Sequence, residues 1–146
     1  MNAQVIQVEY NRLDRKPERG VFRSVFNSCR RQDLGVLARS PLASGLLTRK
    51  YEPGTAFSKG DVRSTQGPRR IAQRLREVQH IAAAEVPERA DMAQWALAWC
   101  LRNDAVTCAI PGCKDVSQVE SSAAAAELAR SDHPHIRPPG SRRPWR

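Results

Sequence analysis

Residues 109–128, AIPGCKDVSQVESSAAAAEL, begin as an apolar run, turn through Pro111 and Gly112, and settle into an alanine-rich helix. Lys114, Ser117 and Gln118 crowd the start of that helix. Donors gathered there suit an anion, because the first backbone N–H groups have no helical partner and the helix dipole favours negative charge. The same residues also suit plain capping, with Asp115 or Ser117 accepting from the exposed amides. On this stretch alone both readings stay open.

Other chemistry-bearing residues are scattered. Cys29, Cys100, Cys108 and Cys113 form no C-x-x-C pair, and the first three lie in apolar or helical stretches, which predicts core thiols in a reducing compartment. His80, His133 and His135 do not combine with them at metal-ligand spacing, so no metal site is expected. The formal net charge of +9 invites a nucleic-acid partner. Its distribution does not support one: the arginines are spread along the chain and no recognition motif accompanies them. Residues 134–146, with HIRPPGSRRPWR at their end, read as a basic, Pro/Arg-rich disordered tail. With no signal peptide and no long apolar run, no membrane partner is expected and the location is read as cytoplasmic.

The elements that would position a site follow from periodicity. VIQVEY, residues 5–10, is β-prone. Val21, Phe22, Val25, Phe26 and Cys29 mark one helical face within residues 18–32. Gly35 reads as a stop, followed by a short buried strand at residues 36–38. Residues 51–68 carry glycine and proline without periodicity and predict a long loop. Ile71, Leu75, Val78 and Ala82 predict a second helix. Asp91 caps a third, whose Met92, Trp95, Ala96 and Trp99 share one side. AVTCAI is the third strand, and residues 116–130 the closing helix.

Strand, helix, strand, loop, two helices, strand, helix implies parallel strands joined by crossover helices. Three such strands leave both sheet edges open, and their apolar faces call for cover. Closed β/α barrels use eight strands and about 250 residues. The expectation is therefore the last part of something larger.

Four stretches carry a family resemblance: IQVEYNRLDRKPE, GVLARSPLASGLLTRKY, MAQWALAWCLRN and IPGCKDVSQVES. Their order and spacing resemble the C-terminal half of the aldo-keto reductases, NADPH-dependent barrel oxidoreductases, over residues 4–133. The resemblance implies an α/β fold, a partial (β/α)8 TIM barrel equivalent to its last three β/α units. Residues 1–133 would form that part, and residues 134–146 the tail.

By position, the resemblance implies a cradle for NADPH. Gln7 would hold the nicotinamide carboxamide, its amide offering both donor and acceptor. Ser40, Leu42 and Ser44 would wrap the pyrophosphate, with Lys50 near the same phosphates and Arg63 closing over the cofactor. Gly112 would permit close backbone approach. Lys114 would pair with the 2′-phosphate, and Gln118 and Ser122 would face the adenine. Arg39 stands where many members place an aromatic ring against the nicotinamide, a position where a guanidinium can stack.

The sequence also departs from the family. Arg49 replaces the glycine of LLTGKY, and Ser121 and Ser122 replace an acidic residue and an asparagine at the adenine. The family's catalytic Asp, Tyr, Lys and His fall on earlier strands, upstream of the matched stretch, and neither Tyr10 nor Tyr51 matches the catalytic tyrosine's motif. No catalytic residue is therefore assigned. Two expectations follow. One is the cofactor-binding half of an NADPH-dependent carbonyl reductase, inactive alone and from a truncated or split gene, which a complementing N-terminal half would complete. The other is a non-catalytic half-barrel module that self-associates or binds a partner through open strand edges.

Overall fold

The computed structural model describes residues 3–18 and 23–130 of the 146-residue chain. Val21, Phe22 and residues 134–146 lie outside the described residues. Three strands form one sheet: β1 (Val5–Glu9), β2 (Gly35–Arg39) and β3 (Cys108–Ile110). Their order is β1-β2-β3 and both pairings are parallel. Helix α1 (Arg23–Gln32) crosses from β1 to β2, α2 (Pro68–Glu85) and α3 (Met92–Leu101) lead from β2 to β3, and α4 (Val116–Arg130) follows β3.

Of the helix expected over residues 18–32, Glu18 instead closes a 3₁₀ turn over Lys16–Glu18, and Arg23–Gln32 is helical as α1. Gly35 is the first residue of β2 rather than a stop. The turn is made by Asp33, which takes the left-handed conformation at φ 51°, and is closed by Leu34 N–H donating to the Cys29 carbonyl at 2.9 Å. Gly35 answers a different need, since a Cβ there would come within 3.2 Å of Val5 Cγ2 on the neighbouring strand.

β3 is shorter than AVTCAI. Ala105 and Val106 are buried but belong to a turn in which Val106 N–H donates to the Asn103 carbonyl at 2.8 Å. Helix α3 is buried nearly all round, with Met92 and every residue from Trp95 to Cys100 inside, instead of along the single side expected. It packs against α4 on one side and the Leu46–Thr48 turn on another. Asp91 caps it as its type predicts, accepting from Gln94 N–H at 2.8 Å.

Strand alternation divides the sheet into two unlike faces. Ile6, Val8, Val36 and Ala38 belong to the core, together with Phe26, Leu46, Leu47, Leu75, Ile81, Trp95 and Trp99. Fully burying side chains of this kind contributes about 1.5–3 kcal/mol each. Val5, Gln7, Glu9, Leu37, Arg39, Cys108 and Ile110 take the opposite register positions, where nothing among the described residues covers the sheet. Val5 is 51% exposed and Ile110 40%. Cys108 is therefore half-buried on the bare face, not a core thiol, whereas Cys29 and Cys100 are buried as expected. No helix among the described residues is long and apolar enough to cross a membrane.

Candidate functional site

Parallel strands point all their carboxyl ends the same way, and loops leaving those ends are where β/α sheets place ligands. Here those ends are Glu9, Arg39 and Ile110, in register across the sheet. The loop after β2 is the most strained part of the backbone. Ser40, Ala43 and Ser44 have φ of 51°, 49° and 57°, and Gly45 has 83°. Left-handed geometry costs about 1–2 kcal/mol at a non-glycine residue, and strain of this kind concentrates at functional sites.

The strained turn is held from both sides. Asn11, fully buried, donates to the Ser40 carbonyl at 3.0 Å. The Leu42 carbonyl accepts from Gly45 N–H at 2.9 Å and Leu47 N–H at 3.2 Å. Ser44 is exposed, and its carbonyl accepts from Arg63 Nη1 at 3.4 Å. Lys50 is exposed a few residues on. Arg49, the residue in the glycine position, sits at φ 58°, so the backbone keeps the conformation that a glycine would take without strain.

Arg63 is already engaged. Its guanidinium lies 4.4 Å from the ring centres of both Tyr51 and Phe57. Asp61 accepts from its Nε at 2.8 Å and its Nη2 at 2.5 Å. These contacts give the aperiodic loop over residues 51–67 a small centre of its own. The hydrogen bonds from Arg63 hold the Asp61 carboxyl down at about 2, with help from the nearby charge of Lys114.

At that junction the capping reading is realised. Asp115 accepts from Gln118 N–H at 2.8 Å, and the Gln118 side chain donates back to Asp115 at 2.8 Å while accepting from Lys114 N–H at 3.0 Å. This is a reciprocal capping box. The side chain of Lys114 stays exposed. A Cβ on Gly112 would meet nothing within 4 Å, so contacts within the chain do not require glycine there. Ser122 is half-buried, its Oγ 3.7 Å from Cys113 Sγ. Gln7 is exposed on the bare face beside Leu37, and Arg39 turns back across the sheet to pair with Glu9 at 2.8 Å.

Beneath the site runs a polar network that periodicity did not reveal. The hydroxyl of buried Tyr10 donates to Glu18 and accepts from Asn103 Nδ2 at 3.1 Å. Burial, reinforced by Glu18, pushes that phenol far above its ordinary value. Tyr10 is a structural post. The VEYN motif itself was its only signal. Nearby, Arg74 grips Asp14 with both terminal nitrogens, one at 3.1 Å. No group of three or more His, Cys, Asp or Glu among the described residues could hold a metal ion.

Parallel strands joined by crossover helices, with a strained polar turn at their carboxyl ends, define an α/β fold of the kind that places ligands at those ends. The chain belongs to the Aldo/keto reductase family, whose profile matches residues 1–137. It is 40% identical over 100 residues to an uncharacterized oxidoreductase of Mycobacterium tuberculosis, covering 66% of this chain and 30% of that one. It is 29% identical over 131 residues to the NADP(+) aldo-keto reductase yakc of Schizosaccharomyces pombe, covering 87% and 38%. The holo form of aldo-keto reductase AKR11C1 from Bacillus halodurans superposes with a TM-score of 0.60 at 25% identity, covering 84% of this chain and 36% of that one. The chain therefore spans between 30% and 38% of the length of these relatives.

Proposed function

We propose that this chain supplies the cofactor-holding part of an NADP(H)-dependent aldo-keto reductase that reduces an aldehyde or ketone, and that it occupies the last three β/α units of the barrel. The observation that carries the reading is the left-handed run through Ser40, Ala43, Ser44 and Gly45, which presents a serine at the carboxyl ends of the strands. The donor set fits a dinucleotide in part. Ser44, Lys50 and Lys114 are exposed and available for phosphate oxygens. Gln7, on the bare face, can offer its amide to a carboxamide. Arg39, Arg63 and Gln118 are held by Glu9, Asp61 and Asp115, so their roles in cofactor binding require exchange of those partners.

The cofactor, when bound, supplies the hydride. The residues of this chain orient it and screen its charge: Ser40, Leu42 and Ser44 at the pyrophosphate, Lys114 at the 2′-phosphate. Protonation of the developing alkoxide needs an acid with a pKa-tuning neighbour. Tyr10 cannot serve, being buried and bonded to Glu18 and Asn103. That acid belongs to strands that the reading places upstream. The test is co-expression with residues of a related barrel that precede the matched region. Cofactor binding and carbonyl reduction in the pair, with no turnover by this chain alone, support the reading; equal turnover by this chain alone refutes it.

A second reading rests on the bare sheet face. Val5 and Ile110 stand exposed there, and β1 and β3 are both edge strands. Unpaired edges and uncovered apolar positions favour association, which would make this a non-catalytic module that self-associates or binds a partner. Analytical ultracentrifugation tests the self-association: a concentration-dependent oligomer supports it, and a compact monomer that unfolds cooperatively contradicts it.

A further inference from the structure

Between the loop after β1, the strained turn after β2 and the first turns of α2 lies a cavity of about 180 Å³. Its lining includes Glu9, Asp14, Lys16, Ser44, Arg70 and Arg74. Two carboxylates and three cations stand there, but they are not equally committed. Asp14 is gripped by both terminal nitrogens of Arg74, and Glu9 is paired with Arg39. Lys16 and Arg70 are exposed, and neither has an ion pair among the described residues. Arg74 Nε is buried without a hydrogen-bond partner. The surplus in the cavity is one of donors and positive charge.

The neighbouring helix end adds to that surplus. Gly67 caps α2 without a side-chain hydrogen bond, and the first turn holds no acidic residue. Instead GPRRIAQ places Arg69 and Arg70 there, where the helix dipole disfavours cations. A bound anion would offset that repulsion and accept from Lys16, Arg70 and the Ser44 hydroxyl.

We propose that this cavity is a binding site for a small oxyanion: the phosphate or carboxylate group of a small organic acid. Arg70 and Lys16 supply the charge, and the Ser44 hydroxyl a directional donor. The site shares only Ser44 with the cofactor cradle proposed above, and it stands or falls separately from that reading.

The test is calorimetric titration of the full chain at low ionic strength, with inorganic phosphate as one probe and succinate as the other. Saturable binding of at least one probe is expected, weakened about tenfold by Arg70→Gln and again by Lys16→Gln. Both side chains are exposed, so these substitutions leave the core intact. Arg69→Gln, in the same helical turn but outside the cavity lining, should leave the affinity unchanged. Unsaturable binding, or equal losses in Arg69→Gln and Arg70→Gln, would reduce the effect to diffuse charge and overturn the proposal. Loss in Lys114→Ala with Arg70→Gln unaffected would place the anion in the cofactor cradle and overturn it as well.

Discussion

Arg63 clasps Asp61 through Nε at 2.8 Å and Nη2 at 2.5 Å, and these bonds, with a lesser contribution from the charge of Lys114, hold that carboxyl at about 2. The same guanidinium reaches the Ser44 carbonyl through Nη1 at 3.4 Å, so one side chain ties the loop of residues 51–67 to the strained turn after β2.

Cofactor choice should follow from Lys114. In a complemented barrel, Lys114→Ala should remove most of a preference for NADPH over NADH, an effect of about tenfold or more, because a charge-assisted hydrogen bond to the 2′-phosphate contributes roughly 1.5–3 kcal/mol. NADH affinity should hardly change, since the turn at residues 40–45 serves both cofactors. Fluorescence titration measures both affinities; equal losses would make the lysine structural.

The Asp61 clasp should be insensitive to pH across the neutral range. Its folded carboxyl titrates at about 2, below the ordinary value of 3.8, so its contribution is fully present above about 3.8. That contribution is lost as pH falls through about 2. Asp61→Asn should instead loosen the loop at every pH above about 3.8, where the clasp is fully formed in the unsubstituted protein. Limited proteolysis is the measurement: faster cutting within residues 51–67 of the variant at pH 7, with the rest of the chain protected, is expected.

Asp14 and Arg74 should matter more to stability. Burial alone would raise the Asp14 carboxyl, but the hydrogen bonds and charge of Arg74 outweigh it and the group titrates below its usual range. Arg74→Ala strands a half-buried carboxylate, and should cost about 1.5–3 kcal/mol at pH 7. The deficit should shrink in acid, as Asp14 takes up its proton in both proteins. Urea melts at pH 7 and pH 3 test this; a deficit that does not change with pH would mean the lost contacts are those of the arginine stem.

Arg49→Gly should stabilise the chain by about 1 kcal/mol, because the residue sits at φ 58° where an L side chain is strained. The side chain's one bond, to the Ala82 carbonyl at 3.4 Å, is too long to offset much of that. Thermal unfolding of the pair of proteins decides it, and a loss of stability would mean that this bond and the arginine stem outweigh the strain.

Much of the architecture was legible because its signals were local. Asp91 announced α3, and the spacing of Ile71, Leu75 and Val78 announced α2. The burial of α3 on all sides was not, since one helix's own periodicity cannot report a second neighbour. Gly35 misled because glycine carries two meanings, a stop and a close approach, and here the turn fell to Asp33. At the β3–α4 junction, Asp115 or Ser117 read as the cap and Gln118 as a ligand; the geometry makes Asp115 the cap and binds Gln118 to it. The Arg39–Glu9 pair depends on strand register, which no stretch of sequence encodes by itself. The cavity at Arg70 was invisible for the same reason, being assembled from four separate segments.

The hydrogen bond from Asn103 to the Tyr10 hydroxyl spans 93 residues. On the ribosome, Tyr10 waits for that partner while the intervening residues are made, about 5–20 s at ordinary synthesis rates. Of the two rings beside Tyr10, Phe26 arrives soon after it, but Trp99 comes only just ahead of Asn103. The cover of the ring and the partner of its hydroxyl are therefore completed almost together, late in the making of the segment that holds them.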